Sequence, residues 1–142
     1  AAQGYLDLHG NGTIVNVSNY ITGSGNGYGG IFSNVFDLNK FIRALFIDKT
    51  LLSQNALNLM FEFNQEDTDF FCGVSTVKKF TQKSTYGIGH TGRDLGYNAN
   101  LFYFPEQNRT MIFFVNYGTN GNSSLKQVFL DFENELVDEV IK

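Results

Sequence analysis

The segment best suited to chemistry lies between Tyr86 and Gly92 and reads Tyr-Gly-Ile-Gly-His-Thr-Gly. Small residues flank His90 and Thr91, so another backbone or a ligand could approach this stretch closely. A hydroxyl and an imidazole beside bare glycine suit the recognition of a carbonyl or carboxylate, although a lone histidine is more often structural. The segment therefore indicates a candidate binding edge for an acyl or carboxylate group.

Two other stretches place a serine three residues before a lysine, Ser75 with Lys78 and Ser123 with Lys126. On a helix this spacing brings the amine beside the hydroxyl, where it can accept the proton and make the serine nucleophilic. Ser75 falls in an alternating, strand-like run, where residues three apart point to opposite faces. Lys126 falls on the polar side of a helix, so Ser123 or Ser124 is expected to cap that helix. Neither serine is expected to be a nucleophile.

The other chemical motifs have simpler interpretations. Residues 25–30 match the glycine pattern of a dinucleotide-binding turn, but no buried parallel strand leads into them, so we expect a loop and no cofactor. Two histidines and one cysteine, far apart in sequence, predict no metal site. Cys72 follows Phe70 and Phe71 and is expected to be a small buried hydrophobe rather than a reactive thiol.

The composition limits the class of protein. Of 142 residues, 42% are hydrophobic and 17% charged, which is enough apolar material for a core and excludes a disordered tail. Apolar runs such as residues 111–115 are too short to span a membrane. A net charge of -4 with ten basic residues argues against nucleic-acid binding. The N-terminus has no signal-peptide pattern, and its abrupt start suggests a piece of a longer polypeptide.

Periodicity predicts the elements that position these residues. Two β-prone runs at 5–9 and 13–17 flank Gly10-Asn11-Gly12 and predict a hairpin. A helix follows, capped by Ser33 or Asp37, and a second helix begins at Ser53. The apolar face of the first helix is Leu38, Phe41, Ile42, Leu45 and Phe46.

The second half of the chain changes to an extended pattern. Polar residues 64–69 are expected to end the second helix, and runs at 73–81, 86–91, 97–104 and 110–116 predict an antiparallel meander. A final helix over 124–141 must pack its apolar face on this sheet, with Glu133 and the other acidic residues mostly outside that face. The face comprises Leu125, Val128, Phe129, Phe132, Leu136, Val137, Val140 and Ile141.

Several blocks, in order and over nearly the whole chain, resemble the C-terminal part of the class C β-lactamase and D-alanyl-D-alanine carboxypeptidase (penicillin-binding-protein-like) superfamily. The blocks are Gly4-Tyr5-Leu6, Gly29-Gly30-Ile31-Phe32-Ser33, Asp37-Leu38 with Phe41, Gly89-His90-Thr91-Gly92, Gly96-Tyr97, Phe104-Pro105 and Val115-Asn116. The resemblance implies an α+β, partial β-lactamase/transpeptidase-like fold, with a C-terminal helix packed on an antiparallel meander and part of a helical lobe. Residues 1–63 would belong to the helical lobe and residues 64–142 to the sheet lobe.

The resemblance also implies site roles, because the family's third motif is Lys-Thr-Gly or His-Thr-Gly. His90 would tune proton transfer and bind anionic groups, and Thr91 would hydrogen-bond the substrate. Gly92 would leave the substrate room, and the backbone N–H of Arg93 would be an oxyanion-hole donor. The implied reaction is acyl-enzyme hydrolysis of a D-alanyl peptide, a β-lactam or an ester, without a cofactor.

The family's nucleophilic serine, its lysine and its second motif lie in upstream segments that this sequence lacks. We therefore expect one wall of an active site without the nucleophile, with a small substrate and the missing N-terminal part as partners. We also expect an unpaired sheet edge prone to association. The resemblance implies an extracytoplasmic location, periplasmic or secreted. Two alternatives remain, a non-catalytic binding or scaffold module of the same fold and a β-module that binds carbohydrate.

Overall fold

The N-terminal residues form the predicted hairpin in a computed structural model that describes residues 2–20, 29–119, 123 and 125–142. Its strands β1 (Tyr5–Leu6) and β2 (Val15–Asn16) pair antiparallel. The turn is held by Asp7, whose carboxylate accepts hydrogen bonds from the N–H groups of Asn11 and Gly12 at 3.1 and 2.8 Å. The predicted hairpin is thus confirmed, with two residues in each strand.

Two helices follow, α1 (Val35–Ile42), which continues into a π-helical turn (Arg43–Ile47), and α2 (Gln54–Met60). The prediction that Ser33 or Asp37 caps α1 is wrong. Asn34 is the N-cap, because its side-chain oxygen accepts from the N–H groups of both Phe36 and Asp37 at 3.0 Å. The Ser53 cap of α2 is confirmed by a 3.3 Å hydrogen bond from the N–H of Ala56 to the Ser53 hydroxyl.

The second half of the chain forms a six-stranded antiparallel sheet, in which neighbours in sequence are also neighbours in space. This order confirms the α+β class and the predicted meander. The strands are β3 (Asn64–Asp67), β4 (Phe70–Gly73), β5 (Thr76–Lys79), β6 (Gly87–Asp94), β7 (Tyr97–Phe104) and β8 (Arg109–Val115).

One sequence prediction about this sheet is wrong, and another is confirmed only in part. The residues of β3 were expected to be a polar break, but they pair with β4 through the backbone at the sheet edge, where all four side chains are exposed and carry no apolar signal. The predicted strand over 73–81 is shorter, because Ser75 adopts a φ of 54° in the turn between β4 and β5. A short 3-10 helix (Thr81–Lys83) follows β5.

The two faces of the sheet carry separate hydrophobic clusters. One face, here called the α1 face, packs against the first two helices and the π-helical turn, and its cluster joins residues from both sides of the predicted 63/64 boundary. Its buried members are Ile42, Leu45, Phe46, Leu57 and Ile88. The opposite cluster consists of Val77, Phe80, Phe102, Phe104, Met111 and Val137. Cys72 packs half-buried against this second cluster, in line with the small-hydrophobe expectation.

The final helix α3 (Lys126–Ile141) covers the second face, here called the α3 face. The predicted apolar face is only partly buried, because Phe132 contacts Phe113 on β8, the last strand of the six-stranded sheet, with ring centroids 5.4 Å apart. Val128 and Phe132 are therefore 60% and 43% exposed. Glu133, expected outside the apolar face, is buried instead. None of the helices described here is long and apolar enough to cross a membrane.

Candidate functional site

The strand β6, which carries the His-Thr-Gly motif, has two halves with different surroundings. Its first half, Gly87 to Gly89, pairs with β5 on one side and β7 on the other. The last pair with β5 is Val77 opposite Gly89, whereas the pairing with β7 continues to Asp94. In the described part of the chain, residues 90–93 therefore have one edge that pairs with no other strand. Alternate residues of a strand direct their N–H and C=O groups to each side, so this edge offers backbone donors and acceptors.

His90 begins the unpaired half, and its side chain is exposed. Its Nδ1 lies 2.6 Å from the carbonyl oxygen of Thr91. Because a carbonyl oxygen can only accept, Nδ1 must carry the hydrogen and donate it. In the neutral ring, Nε2 then keeps its lone pair, and it has no hydrogen-bond partner among the described residues. The ring is thus oriented by the backbone and can accept a proton at Nε2.

The motif residues share a strand but not a face. His90 lies on the α1 face, opposite Leu101, while Thr91 lies on the α3 face, opposite Asn100. Arg93 follows Thr91 on the α3 face and is exposed. The structure therefore separates the imidazole from the Thr91 hydroxyl, and the backbone edge is the feature that all four predicted site residues share.

The glycines of β6 differ in what requires them. A Cβ added at Gly89 would lie 1.9 Å from the carbonyl oxygen of Leu101, so only glycine fits there. A Cβ at Gly87 would meet Phe102 and Phe104 at 3.1 to 3.3 Å, which is tighter than ordinary packing. At Gly92 it would meet only Ala99, at 3.6 Å, an ordinary contact. Packing in the described structure therefore does not require a glycine at position 92. The absence of a side chain at Gly92 leaves the exposed strand surface uncovered.

A positive charge lies on the same sheet face as His90. Lys78 on β5 is directly opposite Ile88, which is two residues before His90 on β6. The Lys78 ammonium lies 4.6 Å from the ring centroid of Tyr86 and 5.7 Å from that of Phe71, within cation–π range. Sequence reasoning considered Lys78 only as a partner for Ser75 and missed this position, because the register between β5 and β6 is needed to find it.

The serine–lysine candidates do not form a catalytic pair in the structure. Ser75 lies in the turn before β5, so it and Lys78 are not on one helix turn. Ser123 is buried, and its hydroxyl accepts a hydrogen bond from the N–H of Leu125 at 3.3 Å. The expectation that Ser123 caps the final helix is wrong, because Leu125 is the N-cap of α3 and no side chain in the described structure caps it. Ser124 and most of the glycine motif lie outside the described residues. Among the residues described, no group of three or more His, Cys, Asp or Glu could hold a metal ion.

Comparison with known proteins gives no assignment. No protein-family model matches this chain, and no curated protein matches it either. The α+β class is therefore a finding from the structure, while membership of the penicillin-binding-protein-like superfamily stays a prediction from motif order.

Proposed function

We propose that this chain is the C-terminal portion of a β-lactamase-like serine hydrolase that cleaves an amide or ester through an acyl-enzyme. In this proposal, β6 forms one wall of the active site, and the nucleophile comes from polypeptide outside this sequence. The observation that carries the proposal is the unpaired edge of residues 90–93 beside an exposed imidazole with its Nε2 available.

The edge suits an acyl substrate because a strand edge can align an extended amide by backbone hydrogen bonds. The nucleophile oxygen would attack the carbonyl carbon, and the bond to the leaving group would break as that group takes up a proton. Water would then hydrolyse the acyl-enzyme. The backbone N–H of Arg93, within the unpaired half, would donate to the carbonyl oxygen as it becomes an oxyanion. His90 Nε2 would accept or return the proton.

Charge and space support a carboxylate-bearing substrate. Lys78 provides a cation on the His90 face, and Arg93 provides one on the opposite face. D-alanyl peptides and β-lactams carry a carboxylate, so these charges favour them over simple esters. Gly92 leaves the strand surface open to such a ligand.

A binding experiment with the 142-residue chain tests the role of the edge. Benzylpenicillin is added up to about 10 mM, because a site with only one of its walls is expected to bind with a millimolar dissociation constant. NMR should then show chemical-shift changes at the His90 ring and the Arg93 amide. The ring of His9, the second histidine, is the internal control. His90→Ala should weaken the Arg93 shift, while His9→Ala should leave it unchanged. Equal shifts at both histidines, or none at either, would contradict the proposal.

A labelling experiment tests the chemistry. The 142-residue chain should gain no covalent mass from a labelled β-lactam or a fluorophosphonate, because it lacks the nucleophile. A longer polypeptide that includes the preceding segment should gain one equivalent and hydrolyse an activated ester. In that longer protein, His90→Ala should reduce turnover far more than folding stability. Labelling of the short chain at Ser75 or Ser123 would overturn the interpretation of those serines.

The second candidate is a non-catalytic binding module with the same fold. It is favoured by the lack of a serine–lysine pair among the described residues. This candidate predicts that the longer protein binds the β-lactam at β6 but gains no covalent mass. The two measurements together therefore separate the candidates.

A further inference from the structure

The turn between β4 and β5 lies at one end of the unpaired edge of β6. The pairing of β5 with β6 ends at Val77 and Gly89. Val74 and Ser75 form the two-residue turn that joins β4 to β5. A ligand segment that pairs with residues 90–93 would continue the line of β5 along β6. The turn therefore closes one end of the space open to such a ligand.

The turn is held in place at both of its ends. The Thr76 hydroxyl donates a 2.7 Å hydrogen bond to the carbonyl oxygen of Met60 at the end of α2, and Thr76 is buried. A Cβ added at Gly73 would lie 2.2 Å from the same oxygen, so only glycine fits there. Ser75 has a φ of 54°, which serine rarely adopts. Packing against α2 and pairing with β4 thus set the position of the turn relative to β6.

The turn presents an apolar side chain at the end of the candidate site. Val74 is 60% exposed, so it contributes little to the core. Contact with an apolar group of a ligand would remove it from water, which is favourable. Extending the β5–β6 register by two residues brings the turn level with Thr91. The exposed valine therefore lies beside the strand positions that carry the His-Thr-Gly motif.

Charge and spacing indicate which end of the ligand meets the turn. Lys78 lies on β5, the strand that begins at the turn, so a ligand carboxylate is drawn toward that end of the edge. The Arg93 N–H, the proposed donor to the reacting carbonyl, lies two residues beyond Thr91, or about 7 Å along the strand. The residue that follows this carbonyl and bears the carboxylate can span that distance. Its side chain would then face Val74.

We propose that Val74 is a specificity-determining residue, which contacts an apolar group next to the carboxylate of the ligand. This inference rests on the proposed function and names its substrate class more closely. The leaving group of the substrate carries both a carboxylate and an apolar side chain. A leaving group with a carboxylate alone, such as glycine, is bound less well, because Val74 then stays in water.

Two peptides that differ only beside the carboxylate test this selectivity by NMR titration of the Arg93 amide in the 142-residue chain. N-acetyl-D-alanyl-D-valine should bind with a dissociation constant about fivefold lower than that of N-acetyl-D-alanyl-glycine, the effect of burying about 40 Å² of apolar surface. Val74→Ser should remove the difference. The matched control is Val128→Ser on α3, because Val128 is also 60% exposed, and it should keep the difference.

The contact itself can be observed with benzylpenicillin. This ligand carries two methyl groups next to its carboxylate and a phenyl ring on its acyl side chain. NOEs should connect the methyl groups of Val74 to those two ligand methyl groups. NOEs from Val74 to the phenyl ring alone would mean that the ligand lies in the opposite direction, and the inference would be wrong.

The outcomes distinguish this inference from the proposed function. If benzylpenicillin shifts neither the His90 ring nor the Arg93 amide, both fail. If it shifts them, three results overturn the role of Val74 alone: no NOE from Val74 to the ligand methyl groups, no binding of either peptide, or an unchanged preference in Val74→Ser.

Discussion

The ammonium of Lys79 lies 3.0 Å from Oε2 and 3.2 Å from Oε1 of the Glu133 carboxylate, so β5 and α3 share an ion pair in the protein interior. Their side chains are only 16% and 5% exposed. Asn100 on β7 donates a further hydrogen bond to Oε1. The Glu133 carboxylate therefore connects α3 to both β5 and β7. Its contact on β7, Asn100, lies directly opposite Thr91 on β6.

Removing one partner of this ion pair should cost more than removing both. Glu133→Leu or Lys79→Met alone should destabilise the chain by about 3 kcal/mol, because each leaves a buried charge without its partner. The double variant should be less destabilised than Glu133→Leu alone. Urea unfolding measures each free energy.

The pair formed by Lys83 and Asp138 is the control, because Asp138 is 52% exposed. Asp138→Asn should cost less than about 1 kcal/mol, as for surface pairs in general. If Glu133→Leu costs no more than Asp138→Asn, the buried network does not stabilise the attachment of α3.

Substitutions at two glycines of β6, Gly89 and Gly92, should distinguish a loss of folding stability from a loss of ligand binding. Gly92→Ala should leave the free energy of unfolding within about 1 kcal/mol of the wild type, because the new methyl meets only Ala99 and alanine reduces the entropy of the unfolded chain. Gly89→Ala should destabilise by about 3 kcal/mol or more, because its Cβ would overlap the Leu101 carbonyl.

The ligand response of these variants completes this test. Gly92→Ala should reduce the benzylpenicillin-induced shift of the Arg93 amide although the chain stays folded. A Gly92→Ala chain that is as stable as wild type and binds equally well would remove position 92 from the candidate site.

The tautomer of His90 can be measured directly. Since Nδ1 donates to the Thr91 carbonyl, long-range ¹H–¹⁵N spectra of the neutral ring should show the hydrogen on Nδ1 and an unprotonated Nε2. His9 makes no side-chain hydrogen bond in the part of the chain that the structure describes and serves as the comparison. An Nε2–H tautomer at His90 would contradict the proton-accepting role proposed for that atom.

The sequence predicts those features whose signal is local. The 3.6-residue period of α1 and α3 and the turns between strands place most elements correctly. Glu133 was misplaced because its partner Lys79 is 54 residues away in the chain, so no local pattern marks the carboxylate as buried. The strand β3 was missed because both its faces are exposed, which leaves no alternation to detect.

For the candidate site, the His-Thr-Gly motif predicts the strand β6 and the position of its glycines. It does not predict that half of β6 lacks a pairing partner on one side in the described chain. The unpaired half of β6 exists because pairing with β5 ends at Val77 and Gly89. That end is set by the turn at Ser75, whose positive φ is unusual for a serine and not visible in the sequence. The alternation that separates His90 from Thr91 follows directly from adjacent positions in a strand.

The start of α1 gives a pH-dependent prediction. The Asn34 side chain donates a hydrogen bond to Asp37, and Lys40 pairs with the same carboxylate, so the pKa of Asp37 lies below its ordinary value. A pKa lowered by folding contributes stability that is present above the pKa of the unfolded chain and is lost as the pH falls through the folded pKa. Asn34→Ala should raise the pKa of Asp37, as measured by NMR titration of its carboxyl carbon.

The same variant should lower stability at neutral pH by about 1 kcal/mol, since it also removes the cap that accepts from Phe36 and Asp37. Lys40→Met should raise the pKa of Asp37 while keeping the cap, and Ser53→Ala at the start of α2 should cost a similar free energy without changing that pKa. The three variants therefore separate the charge effect from the cap. An unchanged pKa of Asp37 in Asn34→Ala would mean that Lys40 alone lowers it and that Asn34 acts only as a cap.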